Sequence, residues 1–145
     1  MSLNLEKYND FVESLEIIDD EDMRFEYIID MGKRARAVEF PASWKVDKNL
    51  MHGCMSRVWI VDEPRDGRHY FRGDSDAIIV KGLVTMMTES FSGLTGEELS
   101  ELTVEQISKL NLGALTTQRQ VGMLAMLEHL KKLGRQSVDA LAGAE

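Results

Sequence analysis

Cysteine is almost absent from this chain: one thiol, Cys54, stands among 145 residues. No intramolecular disulfide can form, so the thiol is free unless it pairs with another molecule, which suits a reducing compartment better than a secreted setting. Proline is scarce as well, at Pro41 and Pro64 only, and no Pro/Gly/Ser-rich tract or internal repeat divides the chain. One domain over residues 1–145 is expected, long enough to hide roughly two-thirds of the surface that the unfolded chain exposes. Long apolar runs are missing: nowhere do about 18 uncharged apolar residues follow one another, and "MSLNLEKYND" has no basic stretch leading into an apolar one. Neither a membrane span nor secretion is predicted, and the expected location is cytoplasmic. Positive charge is in deficit, 17 basic against 25 acidic residues for a net charge of −8, which argues against binding a phosphate backbone. Nucleic acid is not an expected partner.

What is present reads as helices around a short sheet. Leu5, Tyr8, Phe11, Val12 and Leu15 recur at helical spacing, and Asp19 to Asp22 suit the first turn of a second helix by the macrodipole rule. Met23, Tyr27, Ile28 and Met31 give that helix an apolar face, and Gly32 with Lys33 and Arg34 reads as its end. Residues 37–50 show no period and contain Pro41, so an irregular connection is expected. Ser56 to Asp62 is rich in strand formers, residues 63–67 are turn chemistry, and residues 68–73 read as a return strand. Asp74, Ser75 and Asp76 are candidate N-caps of an almost wholly apolar, central helix reaching Met87. Capping-box spacing recurs at Thr95 with Glu98, Thr103 with Gln106 and Thr117 with Gln120. In the last helix Val121, Leu124, Ala125, Leu127 and Leu130 form a stripe, with Gly134 where a C-terminal cap belongs. The order indicates an α+β fold, a small antiparallel sheet covered by helices on one side.

The stretch "MHGCMSRVW", residues 51–59, places the thiol behind Gly53 and ahead of the strand. A lone cysteine is most often a small buried apolar group. Gly53 and the loop character of the preceding segment favour a turn instead, and His52 and Arg57 would lower the thiol pKa if they faced it. A Cys-x-x-Cys redox pair is absent. His52, His69 and His129 with Cys54 make only a weak metal pattern. A cysteine-dependent hydrolase or thiol transferase pairing Cys54 with a histidine stays open, as does a thiol that accepts a group and passes it on.

"YIIDMGKR" (27–34), "MHGCMSRVWIV" (51–61), "GDSDAIIVKGLVTMM" (73–87) and "RQVGMLAML" (119–127) resemble, in order and spacing, the SufE family of sulfur acceptor proteins. The resemblance implies a SufE-like fold, similar to the IscU-type scaffold fold. It also implies that Cys54 takes persulfide sulfur from a pyridoxal-phosphate cysteine desulfurase of the SufS or CsdA kind, stimulates that enzyme, and carries the sulfur to iron–sulfur cluster assembly, for instance a SufBCD-type complex. Pyridoxal phosphate would belong to the partner, so no resident cofactor or metal is expected, and a homodimer is left open. The family's arginine at the start of the last helix matches Arg119, expected to face the cysteine loop or the desulfurase. Gly53, Ser56, Asp74 and Asp76 are expected to support the loop and its surroundings, the two aspartates first of all as helix caps. Trp59 is expected in the core, and Gly82 and Gly122 at close helix contacts. Leu50, Met51 and Met55 would hold the loop down, with Gly53 as hinge, so that the cysteine is tucked in when the protein is alone.

Overall fold

A computed structural model describes residues 5–35, 40–54 and 56–144, those beyond 136 by backbone alone. Two helices come first, α1 (Glu6–Ile17) and α2 (Glu21–Ala35). The Asp20 carboxylate accepts the backbone N–H groups of Asp22 (2.7 Å) and Met23 (3.2 Å), which caps α2 where the acidic run predicts a helix start. Gly32 does not end α2. It sits inside the helix, where a Cβ would strike the Ile78 carbonyl, and a Cβ on Gly82 would likewise strike the Ile28 carbonyl. Glycine here permits two backbones to touch, so the expectation for Gly82 holds and that for Gly32 is corrected. Met23 is also corrected: it is 62% exposed, while Ile28 and Met31 carry the apolar face.

The segment expected to be irregular contains short 3-10 turns at Ala42–Trp44 and Asp47–Asn49 and then a strand, β1 (Leu50–Met51). β1 pairs antiparallel with β2 (Val58–Asp62), Leu50 opposite Trp59 and Met51 opposite Val58, and β2 pairs antiparallel with β3 (Phe71–Ser75). The Asp66–Gly67 turn, both residues at positive φ, closes the β2–β3 hairpin as its composition predicts. The return strand lies later than expected, so Asp74 and Ser75 are strand residues. The following helix, α3 (Ile78–Phe91), has Ala77 at its N-cap with no side-chain cap. The predicted cap role of Asp74 and Asp76 is therefore corrected: Asp74 is buried between Lys45 (3.1 Å) and Lys81 (2.9 Å), and Asp76 pairs with Arg57 (3.1 Å).

α3 is central, as its apolar sequence demands. Val80, Leu83, Val84, Met86, Met87 and Phe91 are buried among α1, α2, the sheet and the last helix. α4 (Gly96–Ser100) and α5 (Val104–Ser108) open with complete capping boxes on Thr95/Glu98 and Thr103/Gln106. The third box is corrected: α6 (Thr117–Ala144) is preceded by Thr116, whose hydroxyl accepts the Arg119 N–H at 3.4 Å, while arginine has no acceptor to return the bond and the Gln120 amide donates instead to the Leu115 carbonyl (2.9 Å). α6 runs through Gly134, which packs against Leu99 and Gly96 instead of ending the helix, and Val121 is 54% exposed instead of joining the apolar stripe.

Helices cover the sheet face that carries Val58, Ile60 and Phe71. Trp59, between Val58 and Ile60, takes the opposite face. It is buried beneath cations there, with Lys45 5.6 Å and Arg57 5.3 Å from its ring centre, while Arg72 lies 4.7 Å from the Trp44 ring. The fold is α+β with a three-stranded antiparallel sheet in the order β1-β2-β3. Among the described residues no helix is long and apolar enough to cross a membrane.

Candidate functional site

Between β1 and β2 the described residues 52–54 and 56–57 belong to the tip of the hairpin, and Cys54 stands in that tip. The loop is fixed at its base. Leu50 and Met51 pair with β2, the Ser75 hydroxyl donates to the Arg57 carbonyl (2.8 Å) and accepts the Ala77 N–H (3.3 Å), and Arg57 reaches Asp76. Behind it, Asp74 joins the segment before β1, through Lys45, to α3, through Lys81. Burial alone would push the Asp74 carboxyl up, but hydrogen bonds from Lys81, Lys45 and the Ser75 N–H, with the Lys81 charge, hold it below the usual carboxylate range. It is a charged strut under the hairpin.

The tip bends over α6. Gly53 adopts φ +108°, and a Cβ there would come 2.7 Å from the Ala125 Cβ, so both conformation and space require glycine. Cys54 is half-buried against the core, its Sγ 3.6 Å from the Gly122 carbonyl oxygen, toward which the thiol donates. A Cβ on Gly122 would lie 3.0 Å from that sulfur. Gly122, expected to serve helix packing, is instead the seat of the thiol. Met51 is 3% exposed and holds one arm of the loop down, Leu50 is half-buried, and Met55 lies outside the described residues.

Burial pushes the Cys54 thiol up. An acceptor carbonyl suits S–H and repels a thiolate, so the seat favours the protonated, unreactive form. The two basic neighbours in sequence face elsewhere. Arg57 is engaged with Asp76 and Trp59, and His52 lies on the outer side of the loop near His129, whose imidazole pKa is lowered by burial, then by Lys132 and by His52. His69 is buried at the far end of the hairpin, its Nδ1 2.7 Å from Asp62.

On the inner side Cys54 borders a cavity of about 400 Å³ whose lining includes Ser56, Val80, Leu83, Arg119, Gly122 and Met126. The cavity thus joins two of the predicted site residues, Ser56 and Arg119, to Cys54, while Asp74 and Asp76 act from the hairpin base. No histidine is among its lining residues. Arg119 also leans on the Phe25 ring of α2, 5.8 Å from its centre. Gly122, Ala125 and Lys81 escape a sequence reading of the site. The small residues Gly122 and Ala125, three apart on one face of α6, are the signal that something crosses the helix there.

Comparison with known proteins shows the family and the fold. The family profile described as "SufE: Fe-S metabolism associated domain" matches residues 9–134. The chain is 33% identical over 130 residues to an uncharacterized SufE-like protein of Rhizobium etli, covering 86% of this chain and 84% of that one. It is 31% identical over 126 residues to one of Rhizobium meliloti, covering 83% and 89%. A solution structure of a hypothetical protein from Thermus thermophilus superposes with a TM-score of 0.71 at 17% identity, over 94% of this chain and 99% of that one, and shows the same fold. The thiol-bearing hairpin and its seat on α6 therefore stand in a chain that belongs to the SufE family, associated with Fe-S metabolism.

Proposed function

We propose that Cys54 is a sulfur acceptor that takes persulfide sulfur from a pyridoxal-phosphate cysteine desulfurase, of the SufS or CsdA kind, and carries it toward iron–sulfur cluster assembly. One observation supports this most: a single thiol rests on a glycine-hinged hairpin tip, half-sheltered, with open volume beside it and no second thiol in the chain. The chemistry is a thiol exchange. The Cys54 thiolate attacks the outer sulfur of the partner's persulfide; a new S–S bond forms, the partner's S–S bond breaks, and the partner's cysteine leaves as thiolate while the terminal S–H moves across with its sulfur. No oxidant or reductant is consumed, and pyridoxal phosphate stays with the partner. A resolving cysteine nearby would attack the persulfide and release sulfide, so the solitary thiol suits a carrier.

The seat explains how such a thiol rests safely. Against the Gly122 carbonyl Cys54 is protonated, and a persulfide turned into the cavity is shielded from other thiols. Swinging outward about Gly53 hydrates the thiol, removes the burial that raises its pKa and so makes the thiolate easier to form when a partner is docked. Arg119, facing the same cavity, supplies a positive charge toward the sulfur or a contact to the partner. Sulfide release by a cysteine desulfurase in the presence of a reductant tests the reading. The wild-type chain should raise the rate and Cys54→Ser, nearly isosteric and folded, should not; equal stimulation by both would remove Cys54 from the reaction.

A further inference from the structure

The hairpin tip divides α6 into two regions. Toward the helix start lies the Cys54 cavity; beyond Ala125, on the other side of the loop, lies an open cleft of about 570 Å³. Its charge is unlike that of the rest of the chain. Lys48, Lys132 and Arg135 line it with the imidazoles of His52 and His129, against one carboxylate, Glu128. Lys48, His52, Lys132 and Arg135 are exposed, and among the described residues none has a carboxylate within ion-pair distance. A chain of net charge −8 repels acidic surfaces in general, so a local excess of unpaired cations orients an acidic partner toward this place. The cleft shares its wall with the loop itself: Met51 and His52 line it, and Ala125, against which Gly53 packs, forms its floor. A segment seated there lies within two residues of Cys54.

We propose that this cleft docks an acidic segment of a protein partner, a stretch bearing several closely spaced carboxylates, beside the Cys54 loop. For the partner's identity as the sulfur donor the proposal rests on the acceptor reading above; the docking itself does not. Three cations placed around a concave wall match a row of carboxylates better than one compact ion, and a nucleic acid meets the repulsion of the whole molecule.

The test is a titration of the isotope-labelled full chain with a hexaglutamate peptide, followed by amide chemical shifts. Shifts should concentrate at His52, Gly53, Ala125, His129 and Lys132 and fade as salt is raised. Lys48→Glu with Lys132→Glu should weaken binding about tenfold or more, whereas Lys109→Glu, on exposed surface elsewhere, should leave it unchanged. Both readouts are independent of sulfur transfer, so a chain that fails to accept sulfur but binds the peptide here keeps the cleft and loses the donor. Shifts spread over the surface, equal affinity in the doubly reversed variant with an unchanged circular dichroism spectrum, or tighter binding of inorganic phosphate or of an oligonucleotide of equal charge would each overturn the proposal.

Discussion

The cysteine sulfur has a seat only because residue 122 has no side chain. Replacing Gly122 by alanine separates two effects that usually move together. Alanine is the better helix former by up to about 1 kcal/mol, so α6 gains or holds its stability, while the new Cβ, 3.0 Å from Sγ, pushes the thiol away from the carbonyl that receives it. Gly122→Ala should melt no lower than the wild type yet react several times faster with iodoacetamide at Cys54; an unchanged labelling rate would show that the seat does not restrain the thiol. Cys54 is conspicuous in the sequence, being alone and behind a glycine that its φ explains. Its seat is not, because the contact joins residues 68 apart. Glycine and alanine on one helix face signal only that something approaches closely.

Between elements, the contact of α2 with α3 fixes the helices beneath the sheet and thus the floor of the site. Gly32 and Gly82 let the two backbones meet, and neither tolerates a side chain. Gly82→Ala must drive a Cβ into the Ile28 carbonyl, and overpacking of this kind costs about 1–3 kcal/mol. The midpoint of urea unfolding should fall accordingly; an unaltered midpoint would mean that the helices part without cost. Sequence reveals what is decided locally. The boxes at Thr95 and Thr103 and the Asp66–Gly67 turn are built from residues three or fewer apart, and they stand where their spacing puts them. β1 cannot be read that way, since two residues have no period and Leu50 and Met51 become a strand only because β2 lies alongside. Gly32 with Lys33 and Arg34 imitates a helix end, and Gly82, fifty residues on, cancels it.

At the scale of the whole molecule, charge and proton binding join the site to stability. His129 is half-buried beneath the loop, and its pKa is lowered by burial, by Lys132 and by His52. Well above pH 6.5 the imidazole is neutral folded or unfolded, and nothing is lost. As pH falls from 6.5 through the lower folded pKa, the unfolded chain takes up the proton first, so stability declines across that window. His129→Gln should flatten that decline in melting temperature measured from about pH 7.5 to about pH 5.5, and an equally steep decline in the variant would assign it to other groups. The acceptor reading is tested most directly by one mass measurement. The chain is incubated with L-cysteine, with and without a cysteine desulfurase, quenched by alkylation, and its Cys54 peptide weighed. A carrier gains the mass of one sulfur atom on Cys54 only when the enzyme is present, and a Cys54 peptide that gains no sulfur beside an enzyme actively consuming cysteine contradicts it.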